Sequence, residues 1–347
     1  MNLQTAGALL IAVLVGAGIW YAKCPEELRR PLSEMHLIES AEATSLVIVK
    51  RVSWSQDGRK LLTLAFGDVG SDGPLVLHDL EDHSPRMPIE FSAEPVHTAL
   101  LAADGRHVVV ASYDRTLWWI GLESDERRAL LELPPGAGIL DAALSLDGRQ
   151  LAAASTAGSI YLGDPENWLG TVIASGLTSR VSELRFSRDG RRLICAAQDG
   201  ALCVWDLQSG TDPQCWKAHA GPAMAAAFLT DERIISAGLD DTIRVWSAPA
   251  GREIWRGDFG LSGIRALALS SDEKLAAWGG GQRRIIVWDL ENVCKKYEIP
   301  IPASLVCDIQ FSPDSKSLAV AGTEGTLRLY DAQTGIERET IELAPSL

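Results

Sequence analysis

From about residue 44 onward, short apolar runs alternate with small polar clusters rich in Asp, Gly, Ser and Pro. That alternation predicts short strands joined by tight turns. The clearest phrase is a turn followed by a strand that ends in an aromatic: DGALCVWD (199–206), DDTIRVWS (240–247) and EGTLRLYD (324–331). The same position recurs at His78, Ile120, Gly163, Trp205, Trp246, Trp288 and Tyr330, with successive spacings of 42, 43, 42, 41, 42 and 42. A second marker, an apolar residue three before an Asp, recurs at Trp54/Asp57, Leu101/Asp104, Leu144/Asp147, Phe186/Asp189, Phe228/Asp231, Leu269/Asp272 and Phe311/Asp314. In six of the seven units the Asp lies 15 or 16 residues before the next marker, so two independent signals hold one register. The chain is a repeat array.

Each unit predicts four strands, a to d. In the fifth they are AMAAAF (223–228), RIISAG (233–238), TIRVWS (242–247) and REIWRG (252–257), separated by Thr230-Asp231-Glu232, Asp240-Asp241 and Pro249-Ala250-Gly251. The runs are nearly continuously apolar instead of alternating, which is the signature of sheets covered on both faces. No unit could cover its own faces, so the units must stack into a ring.

Over roughly residues 35–347 the chain resembles the WD40-repeat family. The resemblance rests on the period, on Trp205-Asp206 and Trp288-Asp289, and on the Asp six residues before the marker at Asp72, Asp114, Asp199 and Asp240. It implies an all-β fold, a seven-bladed β-propeller of four-stranded antiparallel blades. It also implies a structural hydrogen-bond network of His219, Ser236, Asp240 and Trp246 in the fifth unit. Ile120-Gly121 and Gly163-Asp164 depart from the pattern by lacking the aromatic. Such rings are typically latched by an N-terminal strand, which would join residues 36–40 to the 305–331 strands; residues 337–343 have the same outermost-strand character.

The first unit carries about five extra residues in GDVGSDG (67–73). The surplus predicts a longer b–c loop, with Asp68 and Asp72 as partner-contact candidates, on the face that the resemblance implies for partner binding. It lacks the spaced ligand series of a Ca²⁺ loop. Gly279-Gly280-Gly281 with Arg283 and Arg284 lacks the GK[ST] ending of a phosphate cradle, leaving Arg283 and Arg284 as a cationic spot for an acidic peptide. Trp118-Trp119 point to opposite faces of their strand and are expected to fill the core near Ile120. The Asp-Gly pairs at 57–58, 104–105, 147–148 and 189–190 read as turn chemistry.

Upstream, Ala6 to Ala22 runs seventeen residues without a charge, about 26 Å as a helix. Trp20, Tyr21 and Lys23 at its end fit an interfacial border. A cleaved secretory signal fits less well, with no charge in residues 1–5 and Trp20 near the cut. Lys23 disfavours a lipoprotein-type Cys24. The expectation is an uncleaved transmembrane signal-anchor helix over 1–23, a linker over 24–34 and the propeller over 35–347. Because Lys23, Arg29 and Arg30 follow the span, the propeller is expected on the cytoplasmic side of a single-pass membrane protein. Ala12 and Gly16 carry the small-residue spacing that lets helices pack closely, though such residues are common in membrane spans.

A net charge of −14, from 32 basic and 46 acidic residues, argues against nucleic acid as a partner. The six cysteines form no CxxC pair, so no zinc site or other cofactor is expected. Cys195, Cys203 and Cys307 lie in apolar strands and are expected to act as small hydrophobes in a reducing compartment. No G-x-S-x-G elbow or His constellation suggests an enzyme. The function expected is a non-catalytic scaffold for a protein or peptide, presented at a membrane. The alternative is an exported propeller that senses a small ligand or carries an enzyme site in its central channel.

Overall fold

The computed structural model describes residues 48–66, 72–81, 87–89, 96–112, 114–124, 126–174, 177–248, 250–302 and 305–343. Within the unit Ser45–Leu347, these residues build seven four-stranded antiparallel sheets, each from one continuous stretch of chain. The first strands of the blades are Ile48–Trp54, Val96–Leu101, Ile139–Leu144, Val181–Phe186, Ala223–Thr230, Ile264–Leu269 and Val306–Phe311. Each packs on the first strand of the next blade, and Ile48–Trp54 packs on Val306–Phe311, so the ring is closed. In the fifth blade the outer two strands after Ala223–Thr230 are Thr242–Ser247 and Arg252–Asp258, with Arg233–Gly238 second.

Seven apolar clusters hold the ring, each shared by two neighbouring blades. The last-to-first cluster joins Ala319, Leu327, Leu329 and Ile341 to Val49, Val52, Leu61 and Val76. A fully buried Val, Leu or Ile contributes about 1.5–3 kcal/mol. Removing one blade would therefore expose two clusters at once, and no sheet could persist alone.

Ring closure differs from the latch expected above. The outer position of the last blade is filled by Glu337–Glu342, paired with Thr326–Asp331. The seam with blade 1 is made by side-chain packing, and residues 36–40 lie outside the described residues.

The transmembrane helix is also corrected. Every regular element described is a strand, and no helix among the described residues is long and apolar enough to cross a membrane. Residues 6–22, on which the anchor was expected, lie outside the described residues, as does the 24–34 linker. An apolar run is a composition signal and does not distinguish a span from other apolar segments. The anchor, the membrane partner and the single-pass placement are accordingly withdrawn.

Departures from the repeat have local explanations. At Gly163 the Trp168 ring occupies the space of the missing side chain, and a Cβ there would lie 2.8 Å from it. In blade 1, His78 stands at the marker and its Nε2 lies 2.9 Å from the buried Thr63 Oγ1. In blade 2, Trp118 is not simply core: its Nε1–H donates to Asp114 Oδ2 at 3.1 Å, while buried Trp119 stacks on His107. Cys203 is bonded to Cys215 on the adjacent strand, which corrects its reading as an inert thiol. The pair was hidden because 12 residues separate them in sequence, while the hairpin register sets them face to face.

Candidate functional site

Every inner strand has the same irregularity. The pairing with its neighbour skips one residue: Lys50, His97, Leu140, Ser182, Met224, Arg265 and Cys307 in blades 1 to 7. A bulge of this kind turns the extra side chain away from the ladder. The next residue along each strand forms a second level: Arg51, Thr98, Asp141, Glu183, Ala225, Ala266 and Asp308.

At that second level, carboxylates stitch blade to blade. Asp141 accepts from the Leu184 amide at 2.7 Å, Glu183 from the Ala226 amide at 3.2 Å and Asp308 from the Val52 amide at 3.0 Å. In each case the donor is on the inner strand of the next blade. Ser53 does the same with the Leu101 amide at 3.0 Å.

Arginines then cross the channel. Arg51 of blade 1 reaches Asp141 at 3.2 Å and Glu183 at 3.9 Å, in blades 3 and 4. Arg185 binds Glu183 at 2.8 Å and donates to the Leu267 carbonyl of blade 6 at 2.7 Å. Burial opposes the charge on Arg51, but Asp141, Asp308 and Glu183 outweigh it and raise its pKa. Burial raises the Asp141 carboxyl against the pull of Arg51, and pushes Asp308 up to about 6 against Arg51 and the Val52 amide.

Asp308 supplies a pH prediction. Its folded pKa lies above the unfolded one, so its contribution is complete below about pH 4 and is lost as pH rises through about 6. Asp308→Asn, which keeps an acceptor for the Val52 amide, is expected to gain stability relative to wild type by about 2–3 kcal/mol between pH 4 and 7. Urea unfolding of both proteins at pH 4, 5, 6 and 7 checks this; a constant difference would contradict it.

Beyond Arg51, the channel opens into a cavity of about 460 Å³ on the side of the a–b turns. Trp54, Leu144, Phe186, Phe228, Leu269 and Phe311 are among its wall residues, and Leu146 stands 56% exposed in its lining. These channel residues were missed in the sequence because attention went to the turn and aromatic markers. The available signal was a charge three residues before the Trp54, Leu144, Phe186 and Phe311 markers in otherwise apolar strands.

His219, Ser236, Asp240 and Trp246 meet inside blade 5. His219 Nδ1 lies 2.9 Å from Asp240 Oδ1 and Nε2 lies 2.8 Å from Ser236 Oγ, while the Trp246 Nε1–H donates to that hydroxyl at 2.9 Å. Burial lowers the His219 pKa despite Asp240. Burial works against the Asp240 charge, yet the Ala220 amide, Thr242 and His219 hold its carboxyl well below the usual range. Gly238 permits the approach, since a Cβ there would sit 2.4 Å from His219 Nδ1. The network is inside one blade and distant in role from the channel.

Asp68 lies outside the described residues, and Asp72 begins the third strand of blade 1. Arg284 is taken up by Glu298 at 3.2 Å and the Phe259 carbonyl at 3.0 Å, while Arg283 is exposed at a positive φ of 52°. Among the described residues no group of three or more His, Cys, Asp or Glu side chains could hold a metal ion.

The two-level channel, the marker strands and the blade 5 network describe a particular kind of propeller. Three blades match the WD domain, G-beta repeat. The matched residues are 169–206, 210–247 and 297–331, each running from the outer strand of one blade through three strands of the next. Likeness to known proteins is at low identity and covers only part of each. The chain is 21% identical to SIR4-interacting protein SIF2 of Saccharomyces cerevisiae over 86% of this chain and 58% of that protein. It is 24% identical to Actin-interacting protein 1 of Drosophila melanogaster over 85% of this chain and 48% of that protein. Against Telomerase protein component 1 of Mus musculus, 24% identity covers 63% of this chain and 8% of that protein. The chain thus spans less than two thirds of each of these relatives.

Proposed function

We propose that the chain is a non-catalytic scaffold that grips an extended segment of a protein partner in the a–b mouth of its channel. The observation that carries this reading is the state of the channel charges. Asp141, Glu183, Arg51 and Arg185 are engaged with one another and with backbone groups, so the cavity floor is a brace. A general acid or base needs a group free to meet substrate; a recognition pocket needs apolar walls and a few fixed polar groups. The walls and floor here have the second character. Clustered carboxylates would have favoured the small-ligand or enzyme alternative, but their bonding to arginines and amides weakens it. The names of the yeast and fly relatives describe interactions with other proteins, which supports the class of function and not a partner. Exposed Arg283 would add a secondary contact for an acidic segment of the partner.

A photo-crosslinking residue at position 146 tests the cavity. The expected result is one reproducible protein adduct, reduced about tenfold by Phe228→Asp, a substitution that puts a charge in the cavity wall. Unchanged circular dichroism for that variant separates lost binding from lost folding. Absence of any adduct under crosslinking would overturn the assignment.

A further inference from the structure

The opposite mouth has different chemistry. The bulge residues form a level of their own, and none of the seven is acidic: Lys50, His97, Leu140, Ser182, Met224, Arg265 and Cys307. All but Leu140 are partly exposed, whereas the residues just before them, from Val49 to Val306, are buried. Outside blade 3, the bulges therefore present one side chain per blade to the channel. Lys50 Nζ lies 3.3 Å from His97 Nδ1 and donates to the His97 carbonyl at 3.2 Å. Arg180, exposed just before the inner strand of blade 4, acts electrostatically on both.

Ser182 Oγ and Arg265 Nε at this level are buried without a hydrogen-bond partner among the described residues. Neither Arg180 nor Arg265 forms an ion pair among the described residues. Buried donors are normally satisfied, and unsatisfied ones mark places where a ligand or water completes the set. In a chain of net charge −14, three cationic groups, Lys50, Arg180 and Arg265, stand at a level where none of the seven bulge residues is acidic. Burial and then Arg51 lower Lys50 to about 8, and burial and then Lys50 lower His97 to about 3. An anion would relieve that repulsion.

We propose that the bulge level, with Lys50, Arg180 and Arg265 as its cations and Ser182 as a hydroxyl donor, is a binding site for an oxyanion, a phosphate or carboxylate group. Arg supplies planar donors suited to such oxygens, and a narrow channel mouth focuses the field. The group arrives either as a free ion or on a peptide side chain. The site lies at the other end of the channel from the proposed partner cavity and does not depend on it.

The test is calorimetric titration of the full chain with inorganic phosphate at constant ionic strength. A phosphoserine peptide and its glutamate counterpart follow. Saturable binding near one phosphate per chain is expected, weakened about tenfold by Arg265→Gln and by Arg180→Gln. Arg188→Gln, at the other mouth, is expected to leave it unchanged. Arg180 is exposed, so its variant remains readable even if Arg265→Gln unfolds. Tighter binding of either peptide than of phosphate, sensitive to the same variants, assigns the source to a side chain; equal or tighter phosphate binding assigns a free ion. No saturable phosphate binding, or binding indifferent to both Arg180→Gln and Arg265→Gln, overturns the proposal.

Discussion

Arg51→Ala is expected to destabilise the propeller by about 3–5 kcal/mol at neutral pH, the range for removing one partner of a buried charge pair. Arg51 sits between Asp141 and Glu183, whose residues are 2% and 8% exposed, and its charge also bears on Asp308. Without the guanidinium, Asp141 and Asp308 keep only amide donors, while Glu183 retains Arg185. The Asp141 and Asp308 carboxyls, already raised by burial, would rise further, so the deficit should shrink as pH falls and they take up protons. Below about pH 5 the variant should approach wild type. Urea unfolding at pH 5 and pH 8 decides the matter; equal losses at both would mean that Arg51 acts through packing alone. A triple variant with Asp141→Asn and Asp308→Asn keeps acceptors for the Leu184 and Val52 amides, removes the stranded charges and leaves the Arg185–Glu183 pair intact. It should recover most of the lost stability.

Ser236→Ala is expected to cost about 2–4 kcal/mol despite deleting a single oxygen. The hydroxyl serves His219 Nε2 and Trp246 Nε1 together, and its loss leaves two buried ring nitrogens unsatisfied. Each such group costs about 1–3 kcal/mol. Ser236→Thr, which retains the oxygen, should cost less. The comparison by chemical unfolding, followed through tryptophan fluorescence, would fail the idea if the two variants were equally stable. A pH effect accompanies it. Because the His219 pKa is lowered on folding, its contribution is present above the ordinary histidine value and is lost as pH falls below it.

The fold was legible because two markers repeat in constant register, and a period survives divergence of individual residues. Even the departures kept the period: His78, Ile120 and Gly163 hold their places without the aromatic. What repetition could not reveal were contacts that cross it. Arg51 finds Asp141 and Glu183 two and three blades away, distances around a ring that no local pattern encodes. The bulges were equally silent, since a skipped pairing leaves no mark in an apolar run until the register is known. Cys203 illustrates the same limit at short range, where a hairpin and not a spacing motif selects its partner. In the opposite direction, an apolar run with an aromatic and basic border, as at 6–22, is a compositional signal that does not by itself specify a membrane span.

The bulge occurs in every blade, whether its residue is Lys50, Leu140 or Met224. Backbone geometry, and not the identity of the side chain, therefore sets the position. Seven such sites form a combinatorial panel that mutation can rewrite one by one while the hydrogen-bonded ladders stay intact. A library randomised only at these seven codons should yield folded rings with altered selectivity for what enters the channel, so that solubility and specificity can evolve on separate residues.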